Sequence, residues 1–359
     1  MSTIQDVARL AGVSNSTVSN VLNRRTDRMA KGTLARVEAA IAQLGFRPSH
    51  AARFLKTGHA PLIGFLVPSI ANPSYGVLAR EVEIAAQERY GYRVLLGNTC
   101  RSRDKEAEFL DDLLSHGARG AIVISSLPDE SHFEAAAERG LVAVSYDRQA
   151  TPGSSSVVDH VSVDNFASGR IAARHLIENG HRRIAFLTSS GRTLSRVAKS
   201  EGFLAAAREA GVVDGCVVEG AAQSAFGDGE MTELGWALGR KLARESNRPT
   251  GLAAVNDMFA IGVIAGLREH GLSVPADVSV IGSDDLFLAP RLNPPLTSVR
   301  LPFAEMARRM VERVVARISD PGIPAHEFLF QPTLVSRQSV ARPPSTTQKR
   351  PAATRMRAP

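Results

Sequence analysis

Apolar residues return at helical spacing three times within the first 45 residues. In TIQDVARLAG, Ile4, Val7, Ala8 and Ala11 share one face, Thr3 and Asp6 have capping-box spacing, and Gly12 stops the helix. After a three- or four-residue turn, with Ser14 as N-cap, NSTVSNVLN places Val18, Val21 and Leu22 at i, i+3 and i+4. Its other face carries Asn15, Ser16, Thr17, Ser19, Asn20 and Asn23, which cost a helix stability unless their polar ends meet a partner. A third helix reads through Leu34, Val37, Ile41 and Leu44 to Gly45. Helix, glycine turn, helix is the arrangement whose second helix enters a DNA major groove, where amides and hydroxyls meet base edges. An ordinary helical hairpin whose polar face meets only water is the competing reading.

Residues 48–60 form a linker between Pro48 and Pro61, too short and polar to own a core, that gains one or two helical turns when supported. Leu55, beside Arg53 and Lys56, either packs on a neighbouring domain or serves as an apolar wedge for a minor groove. From residue 62 the pattern changes. Short apolar runs (LIGFLV, RVLLG, GAIVIS, LVAVS, RIAFLT, LAAVN, VSVIG) alternate with longer helical patterns, the signature of parallel sheets covered on both faces. The expected fold class is α/β: a small all-α head on residues 1–47, then a core on 61–340 built of two α/β subdomains. The subdomains divide near 160, with the chain crossing back near 290–330. Ligands of such folds bind at the carboxyl ends of strands, and two facing subdomains leave a cleft for a small molecule.

Charge sharpens the division. Residues 1–60 carry 9 Lys and Arg against 3 Asp and Glu, whereas 61–336 carry 28 against 33. A basic head on a mildly acidic body is the footprint of a polyanion partner confined to one module. Residues 341–359 are rich in Pro, Thr, Ala and Arg without periodicity and read as a disordered basic tail. The chain of 359 residues has only Cys100 and Cys216, which argues against a disulfide scaffold. Neither a membrane-length apolar run nor a signal-peptide pattern is present, so a cytoplasmic, nucleoid-associated protein with no membrane partner is expected.

The stretches TIQDVARLAGVS, STVSNVLN, LGFRPSHAARFLKTG, VDNFASGRIAARHLIENGHRRIAFL, NDMFAIGVIAGLREHGLSVPADVSVIGSDD and PPLTSVR resemble the lactose-repressor (LacI/GalR) family of bacterial transcription regulators over residues 2–340. The resemblance implies a homodimer whose heads bind a near-palindromic double-stranded operator. It also implies a core like the periplasmic sugar-binding proteins that senses a metabolite, a sugar or sugar derivative. Asn15 and Ser16 then occupy the main specificity positions, Thr17, Ser19 and Asn23 match positions touching phosphates or bases, and Leu55 matches the hinge leucine inserted at the central base step. Thr3, Ser14, Asn20, Lys31, His50 and Arg53 complete the candidate DNA contacts. Asn20 departs from the family, which usually has Arg there; Arg suits guanine, Asn adenine.

In the core, the resemblance makes Asp284 the carboxylate that accepts effector hydroxyls, and Asn256 follows a strand where a ligand amide belongs. Asp257 reads better as a helix N-cap than as a ligand contact. Asp147 and Arg148 either contact the ligand or pair with each other. Arg196 lies close to Lys199, which sits near the usual family arginine, and Tyr75 either stacks on a ring or belongs to the core. Ser283 replaces the aromatic common before the aspartate, giving a more open or more polar pocket.

A periplasmic binding protein would share the core but not the basic head. An enzyme would need more than Asp284, Asp285, His270 or Cys216, because no nucleophile-base spacing, metal pattern or phosphate loop accompanies them. His270 and His181 read as solvated residues at helix ends. No catalytic residue, metal or cofactor is expected.

Overall fold

The computed structural model describes residues 2–22, 26, 29–46, 60–125, 127, 129, 131–146, 157–221 and 230–344. They fall into two compact units that part between Pro61 and Leu62.

The first unit holds α1 (Ile4–Ala11), α2 (Asn15–Leu22) and α3 (Lys31–Leu44). The Thr3–Asp6 capping box is made in both directions, and Gly12 closes α1 in the left-handed region at φ 64°. Val7, Ala8, Ala11, Val18, Val37 and Ala40 form the buried centre, one small residue or valine from each turn that faces inward.

The second unit begins with β1 (Leu62–Val67), α4 (Pro73–Tyr90), β2 (Arg93–Asn98), α5 (Arg103–Ser115), β3 (Gly120–Ile124), α6 (Ser131–Glu138), β4 (Val142–Tyr146) and β5 (Asp159–Val163). It continues with α7 (Asn165–Glu178), β6 (Arg183–Ser189), α8 (Leu194–Glu209), β7 (Asp214–Gly220), α9 (Met231–Ala243), β8 (Gly251–Ala254), α10 (Asp257–Glu269), β9 (Ser279–Asp284) and β10 (Thr297–Arg300). Last come α11 (Phe303–Ser319), β11 (Glu327–Phe330) and β12 (Thr333–Val335). Two sheets result, ordered β11-β5-β4-β3-β1-β2 and β12-β10-β9-β8-β6-β7. Every pairing is parallel except β10 with β12, which explains the uninterrupted burial of β3, β5 and β9 under helices on both faces.

The chain passes between the two sheets three times: at Asp164, between Arg300 and Phe303, and between Phe330 and Thr333. The crossings are tied together, since Asp164 N–H donates to Phe330 O at 2.8 Å while the Asp164 carboxylate caps α7 through Ala167 N–H at 2.8 Å. On returning, α11 buries Met306, Met310, Val311 and Val314 against Ile63 and Phe65 of the first sheet. The second sheet's core is separate and centres on Phe186, Phe203 and Phe259.

Close contact of α7 with α8 fixes where α8 can sit. A Cβ on Gly169 would lie 1.9 Å from Lys199 O, and one on Gly202 would lie 1.9 Å from Phe166 O. Neither atom belongs to a flexible side chain, so the two helices meet backbone to backbone only because both residues are glycine.

Two expectations are corrected. His181 is not a solvated helix end; it is 1% exposed. Its Nε2 lies 3.0 Å from both Ala341 O and Ser279 Oγ, and its Nδ1 lies 2.9 Å from Thr250 Oγ1. A carbonyl can only accept, so Nε2 carries the proton and Nδ1 takes the threonine hydroxyl. The same contacts move the start of the tail: Ala341 is bonded through both N–H and C=O to the second subdomain, so the folded core includes it. Residues 345–359 lie outside the described residues.

Candidate functional site

The head presents its polar set from α2. Val18 is fully buried at 0% exposure, which orients the helix and leaves Asn15, Ser16 and Asn20 exposed, with Thr17 and Ser19 half-buried. Ser14 caps the helix, accepting Thr17 N–H at 3.2 Å, and its hydroxyl also lies 2.7 Å from Ser16 Oγ and 2.9 Å from Thr17 Oγ1. Thr3 is spent on its own helix, its Oγ1 donating to Asp6 Oδ2 at 2.7 Å. Exposed Lys31 is the first residue of α3, where the helix dipole disfavours a cation and an external anion would relieve it. Asn23, His50, Arg53 and Leu55 lie outside the described residues, as does Asp147 of the core set.

Between the two sheets lies a cleft of about 550 Å³ that includes open solvent, lined from the first subdomain by Asn72, Ser74, Tyr75, Arg101 and Tyr146. Asn165, Ser195, Arg196, Lys199, Asn256 and Asp284 face them from the second. Tyr75, Arg196, Lys199, Asn256 and Asp284 are thus brought together. Asn72, Ser74, Arg101, Tyr146, Asn165 and Ser195 were not singled out from the sequence. Arg101 is the least legible of these, because it stands in the loop after β2 beside Cys100, both with left-handed backbone at φ 54° and 51° and no glycine to mark the turn.

Asp284 ends β9 on an unusual backbone, φ 104°, followed by Asp285 at φ 53°. What holds this turn is Asp257. Its Oδ2 accepts Leu286 N–H at 2.7 Å, and its Oδ1 lies 2.6 Å from Ser298 Oγ, which in turn accepts Asp285 N–H at 3.0 Å. The Asp285 carboxylate bridges Arg300 at 2.7 Å and Arg337 at 2.5 Å, closing the loop from the other side. Room for the Asp257 carboxylate exists because residue 282 is glycine; a Cβ there would stand 2.1 Å from Oδ1.

This corrects the reading of Asp257 as a helix cap. Asn256 is the cap, its Oδ1 accepting Phe259 N–H at 2.8 Å, while Asp257 points inward at 1% exposure. Burial, reinforced by the negative charge of Asp284, pushes the Asp257 carboxyl up to about 8. Asp284 itself is reached across the cleft by Ser74, whose hydroxyl donates to Oδ2. Lys199 Nζ lies 3.3 Å from Val255 O and 3.4 Å from Ser283 Oγ, so Ser283 adds polarity to the pocket. Arg196 Nη1 donates to Ser189 Oγ at 2.6 Å and Gly191 O at 2.7 Å, and Arg101 Nη2 donates to Tyr75 OH at 3.1 Å.

Taken together the polar groups suit binding. A carboxylate and three amides can each exchange hydrogen bonds with neighbouring hydroxyls, and aromatic Tyr75, Tyr146 and Phe303 supply apolar walls.

Comparison with known proteins gives two family matches along the chain: "Bacterial regulatory proteins, lacI family" over residues 3–49 and "Periplasmic binding protein-like domain" over residues 173–340. The HTH-type transcriptional regulator GalS of Salmonella typhimurium is 34% identical over 95% of this chain and 97% of its own. The ribose operon repressor of Escherichia coli is 34% identical over 94% and 100%. Among solved structures, a lac repressor dimer bound to operator and the anti-inducer ONPF shares the fold, with a TM-score of 0.75 and 23% identity over 95% of this chain and 99% of that one.

Proposed function

The chain belongs to the lacI family of bacterial regulatory proteins, and on that premise we propose that it is an operator-binding repressor, acting as a homodimer and released or recruited by a small polyhydroxylated metabolite. The observation that carries this reading is the division of labour in α2: one face buries Val18 in the head, and the other offers Asn15, Ser16 and Asn20 to the outside. A cleft lined by Asp284, Asn256 and Asn165 in the other unit supplies the sensor. Relatives named for a ribose operon and for operator-bound lac repressor support the same pairing of DNA and metabolite. We read the protein as a regulator and not an enzyme, working in the cytoplasm on the nucleoid; no helix among the described residues is long and apolar enough to cross a membrane.

In this reading Asn15, Ser16 and Asn20 contact bases, Lys31 and Arg53 contact phosphates, and Leu55 is the wedge at the centre of the site. The test is selection of bound duplexes from a random pool, followed by affinity measurements on the enriched site. Two half-sites with dyad symmetry are expected. Asn20→Ala should relax preference at one step of each half-site, at a cost of about 1–3 kcal/mol for a good bidentate contact. Lys31→Ala should weaken every duplex alike and flatten the salt dependence. A pool that stays random, or equal losses by Asn20→Ala on selected and random DNA, would remove base readout from α2.

A further inference from the structure

Asp284 reaches the cleft from a backbone that an aspartate rarely adopts. It stands at φ 104° and Asp285 follows at φ 53°, two residues with positive φ in succession, neither of them glycine. Such backbone is unfavourable for any residue with a side chain, and a turn built on it persists only where its surroundings over-determine it. Here both N–H groups that follow Asp284 are directed at one side chain. Leu286 N–H donates to Asp257 Oδ2, and Asp285 N–H donates to Ser298 Oγ, which itself lies 2.6 Å from Asp257 Oδ1. Asp257 opens α10, is 1% exposed and is not among the residues lining the cleft.

The charges around this carboxyl come from several elements. Asp284 and Asp285 at the end of β9 both act on it, Asp284 more strongly, and Ser298 of β10 bonds it. Asp285 is itself bridged by Arg300 of β10 and by Arg337 beyond β12. Lys199 of α8 is placed on Val255 O and Ser283 Oγ, β8 is uncharged along its length, and the acidic residue of the first turn of α9, Glu233, is exposed. Burial and the negative charge of Asp284 outweigh the hydroxyl and N–H groups that favour the ionised form, so Asp257 keeps its proton to about pH 8.

We propose that Asp257 is a positioning residue of the effector site: without touching the ligand it holds the turn that carries Asp284, and thereby sets how tightly the cleft binds a hydroxylated effector. This rests on the sensing role given to Asp284 above and deepens it. The hold includes a proton, so binding is linked to that proton. An ionised Asp257 would set a second negative charge against Asp284 and push the turn apart, and the effector-bound state therefore prefers the protonated carboxyl. The sign follows: affinity is complete below about pH 8 and falls as pH rises above it, because each binding event must then take up a proton.

Calorimetric titration of the full chain with ribose, glucose and galactose at pH 7 selects the probe. The sugar bound most tightly is then titrated from pH 6.5 to 9 into wild type, Asp257→Asn and Asp257→Ala, with thermal unfolding confirming that each protein is folded at each pH. Wild-type affinity should hold level to near neutrality and fall about tenfold by pH 9, the limit for one linked proton. Repeating the titration at pH 8.5 in buffers of different ionisation enthalpy should show up to one proton taken up per sugar bound. Asparagine copies the neutral carboxyl, so Asp257→Asn should keep the affinity seen at pH 7, lose the fall at high pH and take up correspondingly fewer protons. Every other titrating group is common to these two proteins, and the difference between their curves belongs to Asp257. Asp257→Ala should bind about tenfold more weakly at pH 7; if that variant does not fold, the asparagine profile decides. Coincident curves and equal proton uptake for wild type and Asp257→Asn overturn the positioning role and leave a sugar-responsive repressor standing. Failure of all three sugars to bind at millimolar concentration removes the sugar reading and this inference with it.

Discussion

At the scale of single residues, Asp257 shows how a buried carboxyl can serve by remaining neutral. With a proton on Oδ1, it donates to Ser298 Oγ while Oδ2 accepts Leu286 N–H; both contacts survive and no charge is buried. The unfolded chain holds this carboxyl near its ordinary 3.8, whereas the folded protein holds it near 8, so folding takes up a proton between those values. Its contribution is therefore complete below about pH 4 and is lost progressively as pH rises through about 8. Asparagine copies the protonated form, offering an N–H to Ser298 and a carbonyl to Leu286. Asp257→Asn should remove this group's pH dependence and stabilise the protein relative to wild type at pH 8–9, an outcome read by denaturant unfolding from pH 5 to 9. Parallel stability curves for the two proteins would show that Asp257 titrates where an ordinary carboxyl does.

At the scale of elements, the position of α8 decides where two of the three cleft cations stand, and Gly169 decides the position of α8. Gly169→Ala would put a methyl 1.9 Å from a backbone carbonyl, so α7 and α8 must separate. Overpacking of this kind costs about 1–3 kcal/mol. Effector affinity should fall further than in Val314→Ala, which loosens the first subdomain without touching α8; titration of both variants with a sugar that the wild type binds makes the comparison. Equal affinity losses at matched stability would mean that helix spacing does not tune the cleft. Neither glycine contact is readable from sequence, because it joins residues 30 or more positions apart through backbone atoms. The same limit separates the legible strands from the others. Apolar runs such as LIGFLV and GAIVIS announce β1 and β3, but β7 is an edge strand with exposed positions and polar ends, and β12 has only three residues. The helix pair of the head was legible to its caps, since Thr3, Asp6, Gly12 and Ser14 act through neighbours in sequence. Asp257 was misread because a buried carboxyl and a capping one look alike after a strand; its partners, Leu286 and Ser298, come from the far side of β9 and from β10.

Across the whole molecule, the two sheets share three short crossings, so the second unit has few ways to change other than opening and closing about Asp164, Arg300–Phe303 and Phe330–Thr333. Among the described residues a hydrogen bond spans the cleft directly, from Ser74 on α4 to Asp284 at the end of β9, with both residues buried. A ligand held by groups from both subdomains favours closure, and this bond favours the same state. Ser74→Ala then acts as an effector in reverse. Removing one partner of a buried, charged hydrogen bond is worth about 1–3 kcal/mol, enough to shift an open–closed equilibrium by roughly 5- to 150-fold. Linkage makes the sign definite even though effectors can release or recruit a repressor: operator affinity of ligand-free Ser74→Ala should move opposite to the change that the effector causes in the wild type. Fluorescence anisotropy on the selected operator, with and without ligand, reads both changes in one experiment. Movement in the same direction would mean that the DNA-competent state is not set by closure of this cleft, and the coupling would then have to run through some other rearrangement of the core.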